Sequence, residues 1–288
     1  MTKGALMSDP LTTTVKVAPG CLRTPGLFQL STSCKPDQRL DAHREHDGLV
    51  FHFRGDHQLT EVDLAVLLAI LGLGGAQNDV FRRSAQYTGD KVMKVRKMNS
   101  KSIEVKTSYS MLLRELGQSS NGDAWSRLTE SLARLVSVSA TLKPQGDASY
   151  QFYPYDLAEL DFNGSKDRVF LRLCPLLAAG LLGGAGEYVQ VRLDDFRALR
   201  DKSGVAQLLY FCLHRCLAGI HCALTEDHIL ERIYGKDFGT GSTLSMRRKR
   251  LRDGFERIGK LQGWSVSQTK GGYVVKRPRS RAEDKGVD

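Results

Sequence analysis

Arg247, Arg248, Lys249, Arg250 and Arg252 place five cations within six positions. Like charges this close along a helix repel one another, so the run is stable only if it is solvated or met by an anion. A helical projection decides between these. Leu244, Leu251, Phe255 and Ile258 fall in one narrow arc, which makes a buried stripe at the 3.6-residue period. The opposite side presents Ser242, Ser245, Met246, Lys249 and Arg252, flanked by Arg250 and Arg257. Arg247 and Arg248 lie at the stripe's edges, where long side chains can snorkel outward. Duplex DNA offers a dense row of phosphates and a groove that admits a helix. The pattern therefore predicts that Ser245, Met246, Lys249 and Arg252 face base edges, while Arg247, Arg248, Arg250 and Arg257 hold phosphates. Ser242 or Thr243 is expected to cap this helix. Lys270, Lys276 and Arg277 are expected to reach adjacent backbone, with Tyr273 either packing or touching sugar.

Other constellations carry less. Gly72-x-Gly74-Gly75 and Gly180–Gly186 look like phosphate loops, but both follow helical segments, whereas a phosphate loop joins a strand to a helix N-terminus. Cys212, His214, Cys216, His221 and Cys222 suggest zinc, yet the cysteines fall in an apolar helical setting where they act as small core residues. Asp194-Asp195 and Asp161 are the acids that a nuclease or primase reading would have to use. No Ser/His/Asp arrangement is identifiable. The residues point to no catalysis, no cofactor and no metal.

Positioning elements can be read around the basic run. Leu49–Phe53 reads as a strand. Leu59–Leu73 reads as a helix capped by Thr60, with Asp63 three residues on and glycines 72, 74 and 75 as its stop. Ser102–Lys106 alternates as a strand does. A short helix through Met111–Leu116 follows, capped by Thr107 or Ser108, and then a turn at Gly117–Gly122. A second helix runs from about Asp123 to Leu135, with Trp125, Leu128, Leu132 and Leu135 as its stripe. Val136–Lys143 and Ser149–Tyr155 make a hairpin. Helix, turn, helix, hairpin is the winged-helix order. It recurs: strands at Val169–Leu173 and Tyr188–Leu193 with a helix over Pro175–Leu182 between them, then helices over Asp194–Arg200 and Ser203–Ile220. Thr225 caps a helix over Glu226–Tyr234. The basic helix ends near Gln262, and a last hairpin folds over Lys270-Gly271-Gly272. In the first unit, Ser126, Arg127 and Arg134 lie beside a nearly neutral outer face. DNA contact there would draw on Arg127, Arg134 and the basic stretch Lys91–Lys106 with Lys94, Arg96 and Lys97; a dimer or protein contact is the other reading.

At 288 residues the chain suits two domains. The expected organisation is a loosely ordered arm at 1–47, winged-helix domains at 48–164 and 165–278, and a disordered tail at 279–288. The fold class is α+β, mainly helical, with tandem winged-helix domains. A formal charge of +10 argues for a polyanionic partner. From Lys236 to Asp288 there are 14 Lys/Arg against 6 Asp/Glu, so the second unit is the principal DNA reader. Six scattered cysteines do not make a disulfide framework. Neither a signal peptide nor a membrane span is expected, so the chain is read as cytoplasmic.

These residues also resemble the RepC family of IncQ-type plasmid replication initiators over about residues 18–278. The resemblance lies in Pro25-Gly26-Leu27-Phe28, Leu176–Leu199 with Gly183-Gly184, and the helix Asp194–Leu199. It extends through Gly241-Ser242-Thr243 with its basic helix, and Gly263-Trp264-Ser265-Val266 through Gly272-Tyr273 to Arg277-Pro278. It implies a non-enzymatic, bacterial protein that binds iterons at a plasmid origin, promotes melting of an AT-rich tract and recruits a plasmid-encoded hexameric helicase. A homodimer off DNA would be compatible with that role. Two units in successive major grooves would cover about 20 base pairs. A sequence-specific winged-helix repressor without a replication role is the alternative.

Overall fold

The computed structural model describes residues 12–17, 24–35, 37–46, 49–84, 103–144, 155–156, 158–161, 169–174, 177 and 188–279. Over these residues the chain is α+β, with seven α-helices among small sheets. The strands β1 (Thr14–Val17), β2 (Phe28–Gln29) and β3 (Leu40–His46) fall inside the segment expected to be a loose arm. That expectation is corrected. Val15, Val17, Leu27 and Leu30 are buried, and apolar residues this deep fix the backbone around them.

β4 (Leu49–Gly55) buries Phe51 and Phe53 on one face, as its alternation predicts. It pairs with β3 on one side and β7 (Ser139–Pro144) on the other, and β8 (Tyr155–Asp156) adds to β7. The expected hairpin is thus the edge of a four-stranded sheet. The remainder of its second strand lies outside the described residues.

After β5 (Leu59–Thr60) comes α1 (Glu61–Ser84). Asp63 accepts the Thr60 amide at 2.8 Å and the Thr60 hydroxyl at 3.0 Å, which fixes the helix start. The glycines do not end α1, contrary to the sequence reading. A Cβ on Gly72 would lie 2.9 Å from Thr12 Oγ1 and 3.1 Å from Leu193 Cδ1, so this glycine permits close packing. From Leu64 to Leu73 the helix is buried nearly all round, and this burial offsets the roughly 1 kcal/mol per glycine lost in propensity.

β6 (Ile103–Thr107) pairs with β10 (Val169–Leu173), which also pairs with β9 (Ala158–Asp161). Between β6 and β7 lie α2 (Tyr109–Glu115) and α3 (Gly122–Val136). Their starts follow local chemistry: Ser108 Oγ accepts from Met111 N at 3.1 Å, and Asn121 Oδ1 accepts from Ala124 N at 2.8 Å.

The second half begins with β11 (Val189–Arg192), which pairs antiparallel with β1. It continues through α4 (Leu193–Ala198), α5 (Val205–Leu213), β12 (His221–Thr225), α6 (Glu226–Tyr234) and α7 (Gly241–Gly259) to the hairpin β13 (Ser265–Thr269) and β14 (Gly272–Lys276). The helix expected over Ser203–Ile220 stops at Leu213. Gly219 takes a φ of 76°, Arg277 Nε donates to the Cys216 carbonyl at 2.7 Å, and residues 221–225 pair with β14 instead. Buried residues of both halves form one hydrophobic cluster. The helix expected over Pro175–Leu182 lies almost wholly outside the described residues.

Candidate nucleic-acid interface

α7 is anchored by the predicted stripe. Leu251, Phe255 and Ile258 are buried, and Leu244 packs against the same core. A Cβ on Gly254 would meet Leu209 Cδ2 at 3.4 Å and Ala206 Cα at 3.6 Å, so α5 and α7 cross closely there. Behind α7, Phe255 and Tyr273 stack with centroids 3.8 Å apart. The three-stranded sheet β12-β14-β13 thereby holds the helix from one side. Tyr273 packs and is only 3% exposed, which resolves its two expected roles against sugar contact.

The helix begins at Gly241, at least two residues earlier than expected. Thr240 is the N-cap and its hydroxyl makes no capping bond, so neither Ser242 nor Thr243 caps the helix. Gly239 and Gly241, with φ of 79° and 56°, shape this entry. Ser242, Thr243, Ser245, Lys249 and Arg252 are exposed, as is Met246 at 46%. Met246 thus stands among polar and cationic side chains on the face opposite the core-facing stripe.

Several predicted phosphate contacts are occupied from within the chain. Arg248 Nε lies 2.9 Å from Glu226 Oε2, and Arg248 Nη2 lies 3.6 Å from Asp227 Oδ1. Arg257 pairs with Asp201 and donates to the carbonyls of Ala198 and Arg200 at 3.3 and 3.4 Å. Arg277 is buried. These three assignments are corrected: their charges hold α6, the α4–α5 loop and the loop after α5 in place. Arg247 sits over the Tyr234 ring at 4.8 Å and donates to the Asp237 carbonyl at 3.3 Å, and Arg250 is half-buried. Burial pushes the Tyr234 hydroxyl up to about 12, against the opposing pull of Arg250 and Arg247. On the hairpin, Lys270 is exposed at the turn beside Gly271, and Lys276 is half-buried.

The outer face of α3 is different. Ser126 and Arg127 are exposed beside Asp123, Thr129 and Glu130. Arg127 Nε donates to the Asp123 carbonyl at 3.2 Å. Arg134 faces inward, with Nε 3.1 Å from both oxygens of the fully buried Asp63, which also accepts from Ser131 Oγ at 2.6 Å. Arg134 is therefore a structural cation, and its DNA assignment is corrected. Lys94, Arg96 and Lys97 lie outside the described residues.

The remaining constellations resolve into packing. Asp194 pairs with Arg197 at 3.0 Å and Asp195 with Arg192 at 3.4 Å, so the two carboxylates have separate cationic partners. Burial raises the carboxyl of Asp195 above its ordinary value. Gly72-x-Gly74-Gly75 lies inside α1, and Gly180–Gly186 lies outside the described residues. Cys216 is buried, and its thiol is pushed up to about 12 by burial and by neighbouring Cys222. His214 Nδ1 lies 2.8 Å from the Tyr210 carbonyl oxygen. Among the described residues no cluster of metal-ligating side chains occurs, and no helix is long and apolar enough to cross a membrane.

Fold and surface together define an α+β protein with two helix pairs, α2–α3 and α6–α7, the second carrying a cationic outer helix. The family model for Replication protein C (RepC) matches residues 11–279, and the chain belongs to this family of replication initiators. Two crystal structures of RctB share the fold. Its domains 2–3 align with a TM-score of 0.54 at 13% identity, covering 93% of this chain and 99% of that one. Selenomethionine derivatives of domains 2 and 3 align with a TM-score of 0.55 at 12% identity, covering 90% and 98%. Among curated proteins, none matches this sequence.

Proposed function

We propose that this replication initiator reads iteron repeats at a plasmid origin by laying the exposed face of α7 in the major groove. The observation that carries this reading is a polar and cationic face on a helix whose other side is locked into the core. β12, α6, α7 and the β13–β14 hairpin form a winged-helix unit in this reading, with Lys270 at the wing tip and Lys276 behind it. Ser245, Met246, Lys249 and Arg252 address base edges; Ser242, Thr243, Arg247 and Arg250 address sugar-phosphate. The α2–α3 unit is the second winged helix and occupies a neighbouring groove with Ser126 and Arg127. The two units correspond to domains at 48–164 and 165–278.

Binding several adjacent repeats strains the duplex, and AT-rich sequence opens most readily, so melting needs no nucleotide or other cofactor and no enzymatic step. The opened strands pass to a hexameric helicase in the cytoplasm, and a homodimer stores the protein off DNA. Footprinting on origin DNA tests this. Protection of tandem repeats beside a permanganate-reactive AT tract is expected; protection of a lone palindrome with no melting would replace the initiator mechanism with a repressor.

A further inference from the structure

A cleft of about 560 Å³ lies between α1, the α2–α3 pair and the α4–α5 segment, with Val62, Ala65 and Phe196 in its lining. Arg127 of α3 lines it from one side, and Arg200 and Lys202 of the α4–α5 loop, which Arg257 ties to the end of α7, line it from the other. All three are exposed. The loop is a built bridge rather than a slack connection. Arg200 Nη1 donates to the carbonyls of Leu116 and Gly117, at the turn between α2 and α3, at 3.2 and 3.5 Å. From the other direction, Arg257 at the end of α7 grips Asp201 and the Ala198 and Arg200 carbonyls. Asp201 Oδ1 in turn accepts from the amides of Ser203 and Gly204 at 2.9 and 2.8 Å, which fixes the turn carrying Lys202.

The charge balance in this cleft is one-sided where it meets solvent. Asp201 is held by Arg257, and buried Glu115 pairs with Arg197 at 2.9 Å. Glu61 accepts from the neutral Ser31 amide and hydroxyl at 2.7 and 2.6 Å and keeps its charge, so among the described residues it is the one carboxylate of the lining set against the three cations without a cationic partner. Arg127 and Arg200 likewise donate to neutral carbonyls, which orients the guanidinium groups without cancelling their charge.

We infer that Arg127, Arg200 and Lys202 form a phosphate clamp that holds the duplex backbone between the grooves addressed by α3 and α7. The inference rests on the proposed function and adds residues that no motif marked. Arg200 and Lys202 are separated from the basic helix by some forty residues and stand in a loop of mixed charge. Only folding brings them beside Arg127. The clamp is sequence-independent, so it adds affinity and fixes the spacing of the two units without changing which bases are read.

The test uses the full chain and a 30-base-pair duplex that the wild-type protein enriches from a random pool. Lys202→Ala should lower the slope of log affinity against log salt by about 0.9, and Lys202→Ala with Arg200→Gln by about twice that. The double variant should bind about tenfold more weakly, with base preferences unchanged. Phosphate ethylation between the two half-sites should block wild-type binding but not that of the variant. Lys202→Glu, a surface change that leaves the loop's hydrogen bonds in place, should weaken binding further and guards against misfolding of the Arg200 variant. If no duplex is enriched, both this inference and the proposed function fall. If Lys249→Ala with Arg252→Ala abolishes base preference while salt slope and ethylation pattern are unmoved by Lys202→Ala and Lys202→Glu, the clamp alone is wrong. The cleft would then serve a protein partner.

Discussion

The α2–α3 and α6–α7 units have the same order of elements and opposite treatments of charge. In the first, the arginine nearest the apolar stripe, Arg134, turns inward onto Asp63, and the exposed face mixes Asp123, Glu130 and Arg127. In the second, Arg248 is met by Glu226 and Asp227 and Arg257 by Asp201, while Lys249 and Arg252 are exposed beside Met246. The first unit commits Arg134 to holding the molecule together. The other divides its cations between holding α7 and leaving a free face. The shared order of elements is thus a platform, and its use depends on which charges the surrounding chain has already claimed.

The sharpest way to break this contrast is to remove the carboxylate at the centre of the first unit. Asp63→Ala deletes the cap on α1 and leaves Arg134 and Ser131 without their buried acceptor, at a cost of about 3 kcal/mol. Arg134 is partly exposed and can turn toward water, which keeps the loss below that of a fully buried pair. Urea unfolding should show the lower midpoint. Below that midpoint DNA base preference should match wild type, because α7 does not depend on Asp63. A changed base preference would mean that the first unit reads sequence after all.

Lys249→Ala and Arg252→Ala should each lower specific affinity by about 1–3 kcal/mol and relax discrimination at one base position. Arg248→Ala is the comparison. Its guanidinium already faces Glu226 and Asp227, so its loss should cost specific binding less than about 1 kcal/mol. Binding isotherms on one selected duplex at fixed salt separate the three. Equal losses for Arg248 and Lys249 would show that DNA releases Arg248 from its carboxylates.

This division of the arginines also marks what the sequence could carry. The stripe of α7, the stripe of α3 and the terminal hairpin were legible, because each depends on residues within a few positions of one another. The partners of Arg248, Arg257, Arg277 and Arg134 were not. They stand 22, 56, 61 and 71 positions away, and no periodicity announces them. The same limit explains α1. Gly72 looked like a stop until Thr12 and Leu193 were packed against it. The short strand β12 was hidden because its alternation spans only five residues, and its pairing partner β14 lies some fifty residues on.

The smallest effect is expected on the outer face of α3. Ser126→Ala with Glu130→Ala removes two exposed side chains that make no described bond to the core, so stability should stay within about 0.5 kcal/mol. Removing Glu130 also makes that face more positive, so affinity for any duplex should rise slightly and more at low salt. Base preference, measured by selection from a random pool, should not move. A shift at positions one helical turn from the α7 half-site would place Ser126 against base edges. The two units would then differ in how strongly they read sequence rather than in whether they do.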